Sequence, residues 1–314
     1  MKLKNILFLV PALTTISCKK PNNNVLTIIA PTGAPAITLF TQANNKNFET
    51  TSKPDLLKSY MASGSYDVIV APTNIGISSI NNGANYLIAA TVSFGNFYIM
   101  STGKDNDGTM NKGDNIVIFQ QNSVPDKLFS YIYNDTFKDT TYYVSDLTSA
   151  ATALENKKVI AESGDYVDAH YVLLAEPKVT ATLAKNIEGI SLYKDLQEEF
   201  QVKSNGLSIF QASIFIKASA NKTKVDKLLN EISTSINEGL INPSLIKEGM
   251  EKYSHDADAI SSFFGMSSTM AYNLTYKNNA LGLGYKNAKE NKVGIDNFLS
   301  CFNIKESNEK IYYQ

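Results

Sequence analysis

The chain has 314 residues, enough for two domains of ordinary size, and its 43% apolar and 19% charged residues exclude both a globally disordered chain and a polytopic membrane protein. The formal charge is −1 with the lysines scattered, so the electrostatic footprint of a nucleic-acid binder is missing. All 29 basic residues are lysine and tryptophan is absent; without arginine's bidentate fork, an anionic ligand would have to be held by lysine or by helix N-termini.

Residues 1–17 place Lys2 and Lys4 before a mostly apolar run that ends at Ser17, the layout of a secretory signal. The run is too short to span a bilayer and is interrupted by Pro11. Cys18 follows where bacterial lipoproteins carry their lipid, although Thr15 stands where that motif prefers leucine. Residues 18–24 then read as a lipidated polar tether, Lys19-Lys-Pro-Asn-Asn-Asn24 having nothing apolar to bury. With Cys18 lipidated, only Cys301 remains in the body of the protein, which excludes an intramolecular disulfide; its apolar neighbours Phe298, Leu299 and Phe302 suit an inert buried thiol.

Residues 25–40 set the pattern for the rest. Residues 25–30 form a short, almost continuously apolar run, as expected of a strand covered on both faces of a mostly parallel sheet. Pro35 fits the first helical position, where its missing N–H costs nothing. The loop 31–34 between them offers free N–H groups at the carboxyl end of a strand, where open α/β sheets bind ligands. A short helix follows over 54–61, ended by Gly64, then a buried strand over 67–71 and a helix over 75–80 behind Pro72-Thr73-Asn74. Strands are expected over 86–91 and 97–101. The Gly-, Asp- and Asn-rich stretch 103–114 is the sharpest composition shift and marks the expected passage into a second lobe.

That lobe opens as the first does, with a strand over 116–119, a polar loop over 120–124, and a helix starting at Pro125 and Asp126. A strand over 142–144, a helix capped by Ser145, a strand over 159–162 and another over 171–175 continue the α/β alternation. Glu176-Pro177 leads into a further helix. After a β-rich run over 208–216 the chain turns helical: Val225, Leu228, Leu229, Ile232 and Ile236 line one face, closed by Gly239, and later helices begin near Pro243, Asp256 and Ala288. The expected division is 25–114 with 207–314 for the first lobe and 115–206 for the second.

In this order the segments Ile29-Ala-Pro-Thr-Gly-Ala-Pro-Ala36, Tyr66-Asp-Val-Ile-Val-Ala-Pro-Thr-Asn74, Phe94-Gly-Asn-Phe-Tyr-Ile99, Gln121-Asn-Ser-Val-Pro125, Leu174-Ala-Glu-Pro177 and Asp195-Leu-Gln-Glu-Glu199 resemble the substrate-binding proteins of ATP-binding-cassette (ABC) importers. The chain is most similar to their nitrate, sulfonate and taurine group, which includes the pyrimidine-precursor binders of thiamine synthesis. The likeness runs from about residue 25 to residue 302 and lies in the order of the segments rather than in any one of them. It implies a two-lobed α/β fold of the periplasmic-binding-protein type II kind, with a ligand cleft between lobes that close on a small molecule. It also implies a transporter permease as partner, a monomeric state, a lipid anchor at Cys18 on the cell surface or periplasmic face of the membrane, and no cofactor. One departure is visible: Phe94 stands where the group carries tryptophan.

Under that reading the ligand contacts come from loops at strand ends. They are Thr32, Gly33 and Ala34, then Thr73 and Asn74, from the first lobe; Phe94 and Asn96 from the passage; and Gln121, Asn122, Ser123, Asp165, Tyr166 and Glu176 from the second. Asn96, Asn122 and Thr73 supply neutral hydrogen bonds, Phe94 and Tyr166 can stack on a planar ligand, and Asp165 and Glu176 favour a cationic or N–H-bearing group. An anionic end belongs at Gly33 and Ala34 or at the second mouth.

Enzyme readings find less support. His170 and His255 are far apart, and His255-Asp256 reads as a helix cap rather than a metal site. No Gly-x-Ser-x-Gly elbow or phosphate loop is present, and Gly282-Leu-Gly284 reads as a loop. Two alternatives to an importer component remain: a pyrimidine-precursor-synthase-like two-lobed enzyme, since fold does not fix function, and a surface adhesin lipoprotein with a degenerate cleft.

Overall fold

The computed structural model describes residues 25–104, 108–304 and 308–314; the signal sequence, Cys18 and the tether lie outside the described residues. The chain lays down β1 (Ile28–Pro31), α1 (Ala34–Ile37), β2 (Phe48–Thr51), α2 (Asp55–Ser63), β3 (Val68–Pro72), α3 (Thr73–Asn81) and β4 (Tyr86–Ser93). It then passes into β5 (Phe97–Ser101), β6 (Ile116–Phe119), α4 (Val124–Tyr133), β7 (Thr141–Val144), α5 (Leu147–Asn156), β8 (Lys158–Ile160), β9 (Tyr166–Asp168), β10 (Tyr171–Ala175), α6 (Lys178–Leu183), β11 (Ser191–Asp195) and α7 (Leu196–Lys203). It returns through β12 (Ala212–Lys217), α8 (Lys222–Ile241), α9 (Ser244–Glu251), α10 (Ala257–Phe264), α11 (Ser268–Tyr276), β13 (Leu283–Asn287) and α12 (Lys292–Ser300).

Two main sheets result, ordered β13-β4-β12-β3-β1-β2 and β11-β5-β10-β6-β7. In the first, β1 runs parallel to β2 and β3 while β12 is antiparallel to both β3 and β4. In the second, β6 runs parallel to β7 and β10, and β5 is antiparallel to β10 and β11. The near-continuous apolarity of β1 and β3 has its reason here, because both faces of the first sheet are covered. Ile28, Ala30, Val68, Val70, Ile214 and Ile216 pack toward the later helices, whereas the alternate residues Ile29, Ile69, Ala71 and Phe215 belong to the other core. That second core continues through Phe97, Phe210 and Phe298 into Ile116–Ile118 and Val172–Leu174 of the second sheet.

Several sequence expectations are corrected. β5 hydrogen-bonds within the second sheet, so the chain crosses at residues 94–96, and the Gly/Asp-rich stretch 103–114 lies inside the second unit. The strand expected over 159–162 is not part of a main sheet; β8 pairs only with β9, in a hairpin closed by Lys158 and Asp168. Only Val159 of β8 is buried, too little apolar surface for a central strand. Asp146, not Ser145, caps α5, accepting from the Ser149 N–H at 2.8 Å. Gly239 lies inside α8 rather than at its end, where a Cβ would come within 2.8 Å of Ile246; close helix packing accounts for it. The last helix begins at Lys292, four residues after Ala288, and Gly284 lies within β13 rather than in a loop.

Candidate functional site

The carboxyl ends of both sheets meet the crossing segments. β10 ends with Ala175 paired to Phe97, the first residue of β5, and β3 ends with Pro72 paired to Ala212, the first residue of β12. A chain of hydrogen bonds joins the two ends. The Thr73 N–H donates to the Gln211 carbonyl at 3.0 Å; Gln211 Nε2 donates to Asn96 Oδ1 at 3.3 Å; and Asn96 Nδ2 donates to the Glu176 carbonyl at 3.2 Å. Gln211 Oε1 also accepts from the Gly95 N–H at 3.0 Å, and the Glu176 N–H returns a bond to the Asn96 carbonyl at 3.0 Å. Asn96 and Glu176, at 4% and 6% exposure, are therefore brought together. Gln211 was missed in the sequence, because its partners lie 115 residues or more away and its own β-rich run marks nothing polar as special.

In the first sheet, Thr73 and Asn74 are the opening residues of α3 rather than loop residues. Thr73 is fully buried, and its hydroxyl pairs with Ser213 Oγ at 2.8 Å, which pairs in turn with Thr91 Oγ1 at 2.8 Å. Two buried polar atoms at this sheet end have no partner among the described residues: Asn74 Oδ1, and Ser93 Oγ at the end of β4. Unpaired buried acceptors are rare in native proteins and call for an explanation at each occurrence.

The expected free N–H groups at Gly33 are not free. Gly33 donates to the Phe264 carbonyl at 2.8 Å, and the Thr32 N–H donates to the Thr51 carbonyl at 2.9 Å. Gly265 makes this seat possible. Its φ is +80°, and a Cβ there would lie 2.9 Å from the Gly33 nitrogen and 3.1 Å from Thr32 Cβ. The turn after α10 thus closes over the first loop, and no sequence signal beyond Gly265 itself pointed to it. Ala34 is buried beside it.

The second mouth is filled from within. Asp126, buried at 6% exposure, accepts from the Asn122 N–H at 2.6 Å and from the Tyr143 hydroxyl at 2.9 Å. The Tyr143 phenol is pushed well above its ordinary range, first by burial and then by the Asp126 charge. Ser123 is the N-cap residue of α4, its hydroxyl turned back to the Phe119 carbonyl at 3.4 Å. Gln121 and Asn122 are exposed, and they line a cavity of about 520 Å³ along α4 with Tyr131, Tyr143 and the turn after α12 at Cys301, away from the strand-end loops of the first sheet. Cys301 is half-buried rather than fully buried, and burial pushes its thiol above its ordinary value.

Phe94 and Tyr166 have different fates. Phe94 is taken into the packing behind the crossing: its ring lies 6.0 Å from Phe210, edge to face, with Lys286 Nζ 5.1 Å from its centroid. Asp165 and Tyr166 sit on the β8–β9 hairpin, rooted at the amino end of β10, the end opposite Glu176. Tyr166 is 70% exposed, and neither residue shares a hydrogen bond with Asn96 or Glu176. Among the described residues, no group of three or more His, Cys, Asp or Glu side chains could hold a metal, and no helix is long and apolar enough to cross a membrane.

The two sheets with covered faces and linked carboxyl ends define a mixed α/β, two-lobed protein with the fold of the periplasmic binding proteins. The structure is similar to that of an ABC transporter protein from Parabacteroides distasonis, with a TM-score of 0.65 and 15% identity over 89% of this chain and 92% of that one. It is also similar to the periplasmic aliphatic sulphonate binding protein of Escherichia coli, with a TM-score of 0.62 and 12% identity over 92% of both chains. A third likeness is to the alkanesulfonate-binding protein of Xanthomonas axonopodis pv. citri bound to MOPS, with a TM-score of 0.56 and 13% identity over 91% of this chain and 97% of that one. No protein-family model and no curated protein matches the sequence.

Proposed function

We propose that the chain is the extracytoplasmic substrate-binding component of an ABC importer, capturing a small organic molecule between its two lobes by closing on it. The observation that carries this reading is the polar seam at the crossing. Thr73, Gln211, Asn96 and Glu176 run from one sheet end to the other through consecutive hydrogen bonds, at the carboxyl ends where open α/β sheets take ligands. Similar folds in proteins named for sulfonate binding and ABC transport support it. Thr32, Asn74, Asn96, Gln211 and Glu176 are the innermost contacts of the proposed cleft, with Gly33, Ala34, Thr73 and Ser123 behind them. Phe94 acts from the hinge side and Gln121 and Asn122 lie toward the rim, whereas Asp165 and Tyr166, at the opposite end of the second sheet, stand outside the cleft. A lipid on Cys18 holds the protein to the outer face of the membrane, a permease is its partner, and it works as a monomer without turnover.

Native mass spectrometry of protein purified without refolding tests this. One small molecule per chain is expected, lost in Asn96→Ala while the melting transition persists. A wild-type protein that carries nothing and whose melting no small molecule shifts contradicts it. Release of Cys18→Ser from the membrane fraction tests the anchor separately.

A further inference from the structure

The helix mouths of the second lobe share a feature that the sequence singled out only at Asp126. α4, α5, α6 and α7 each follow the carboxyl end of β6, β7, β10 and β11, and the pairings Phe119–Val144, Ala175–Phe97 and Asp195–Tyr98 put those ends on one side of the sheet. Every one of these mouths is filled by the chain's own carboxylate. Asp126 takes the Asn122 N–H. Asp146 takes the Ser149 N–H. Glu176 takes the Thr180 N–H at 3.0 Å and the Thr180 hydroxyl at 2.8 Å. Asp195 takes the Gln197 and Glu198 N–H groups at 2.8 and 3.3 Å. A helix N-terminus carries about half a positive charge, so a full carboxylate leaves each mouth net negative. Among the described residues none of the four has a lysine within 4.0 Å; the salt bridges of this lobe engage other carboxylates.

In the first lobe the Gly33 N–H at the entry to α1 is taken by the Phe264 carbonyl, and Lys286 is engaged with the Phe94 and Phe210 rings and with Ser208. What that lobe does offer is an acceptor. Asn74, at 5% exposure, opens α3 beside the Gln211 crossing with its Oδ1 unpartnered.

We propose that the cleft selects a cationic or uncharged ligand that donates hydrogen bonds to Asn74, and turns away anions of the sulfonate kind. This rests on the cleft reading above. Tyr98 records the same negative surroundings: its phenol is raised well beyond its ordinary range by burial, then by Asp195, Glu176 and Glu198.

The test is calorimetric titration of the full mature chain with two panels: alkanesulfonates and nitrate on one side, alkylamines, guanidines, uncharged amides and nucleobases on the other. Saturable binding from the second panel only, weakened about tenfold or more by Asn74→Ala, is expected. Should Asn74→Ala not fold, Asn74→Asp keeps the shape and is expected to tighten an amine while weakening nothing else in that panel. Tight binding of a sulfonate or nitrate that Asn96→Ala abolishes overturns the charge inference and leaves the cleft reading standing. Binding indifferent to both Asn74→Ala and Asn96→Ala, or no binding from either panel, overturns both.

Discussion

The two sheet ends that meet at the crossing solve the same problem with different chemistry. Each must satisfy backbone N–H groups where strands give way to helices. At the first, the partners are neutral: the Phe264 carbonyl for Gly33, the Gln211 carbonyl for Thr73, and a run of hydroxyls from Thr73 through Ser213 to Thr91. At the second, they are carboxylates from Asp126, Asp146, Glu176 and Asp195. An arginine-free chain is short of the residue that grips anions best, and in the second lobe carboxylates also fill the helix mouths that could have replaced it. A pair of jaws, one neutral and one acidic, need not grip what the proteins of similar fold grip.

The contrast can be broken most severely at Gly265. A side chain there meets both a positive φ and the Gly33 backbone, so Gly265→Ala is expected to cost about 3 kcal/mol in chemical denaturation. Gly33→Ala is the control, since φ is +95° but nothing lies within 4 Å of the new Cβ; about 1 kcal/mol is expected. Equal losses would mean that the turn over the first loop is not a close-packed seat. In the hydroxyl run, Thr73→Val leaves Ser213 with Thr91 alone and should cost about 1–2 kcal/mol by the same measurement.

The acidic end responds to pH where the neutral end does not. The Asp146 carboxyl is held below its ordinary value, first by the Ser149 N–H, so its folded state favours the charged form. Its contribution is complete above the unfolded carboxylate pKa and is lost as pH falls through the lower folded one. Asp146→Ala should therefore cost about 1 kcal/mol at neutral pH, and the gap to wild type should narrow in strong acid. A gap that widened in acid would contradict this sign. Tyr143→Phe is the smallest change, about 0.5–1 kcal/mol, since Asp126 keeps its bond to the Asn122 N–H.

What the sequence disclosed follows from how local the determinants are. Buried strands such as Ile28–Pro31 and Val68–Pro72 declare themselves because both faces are apolar, and Gly64 and Asp256 mark helix ends through their own chemistry. β2 and β11 escaped notice because Phe48-Glu-Thr-Thr51 and Ser191-Leu-Tyr-Lys-Asp195 are mostly exposed or half-buried edge strands with weak apolar signals. Of the site, Asn96 and Glu176 could be placed because each follows a legible strand. That the Gly33 N–H is occupied depends on Phe264, more than two hundred residues later in the chain, and that Tyr166 stands apart depends on a hairpin replacing a sheet strand. Neither depends on anything local.

Small-angle scattering with and without the molecule that co-purifies with the protein tests the central claim most directly. A ligand-dependent decrease in the radius of gyration, absent in Asn96→Ala, is the predicted result. An unchanged radius with the ligand bound one per chain would contradict capture by closure.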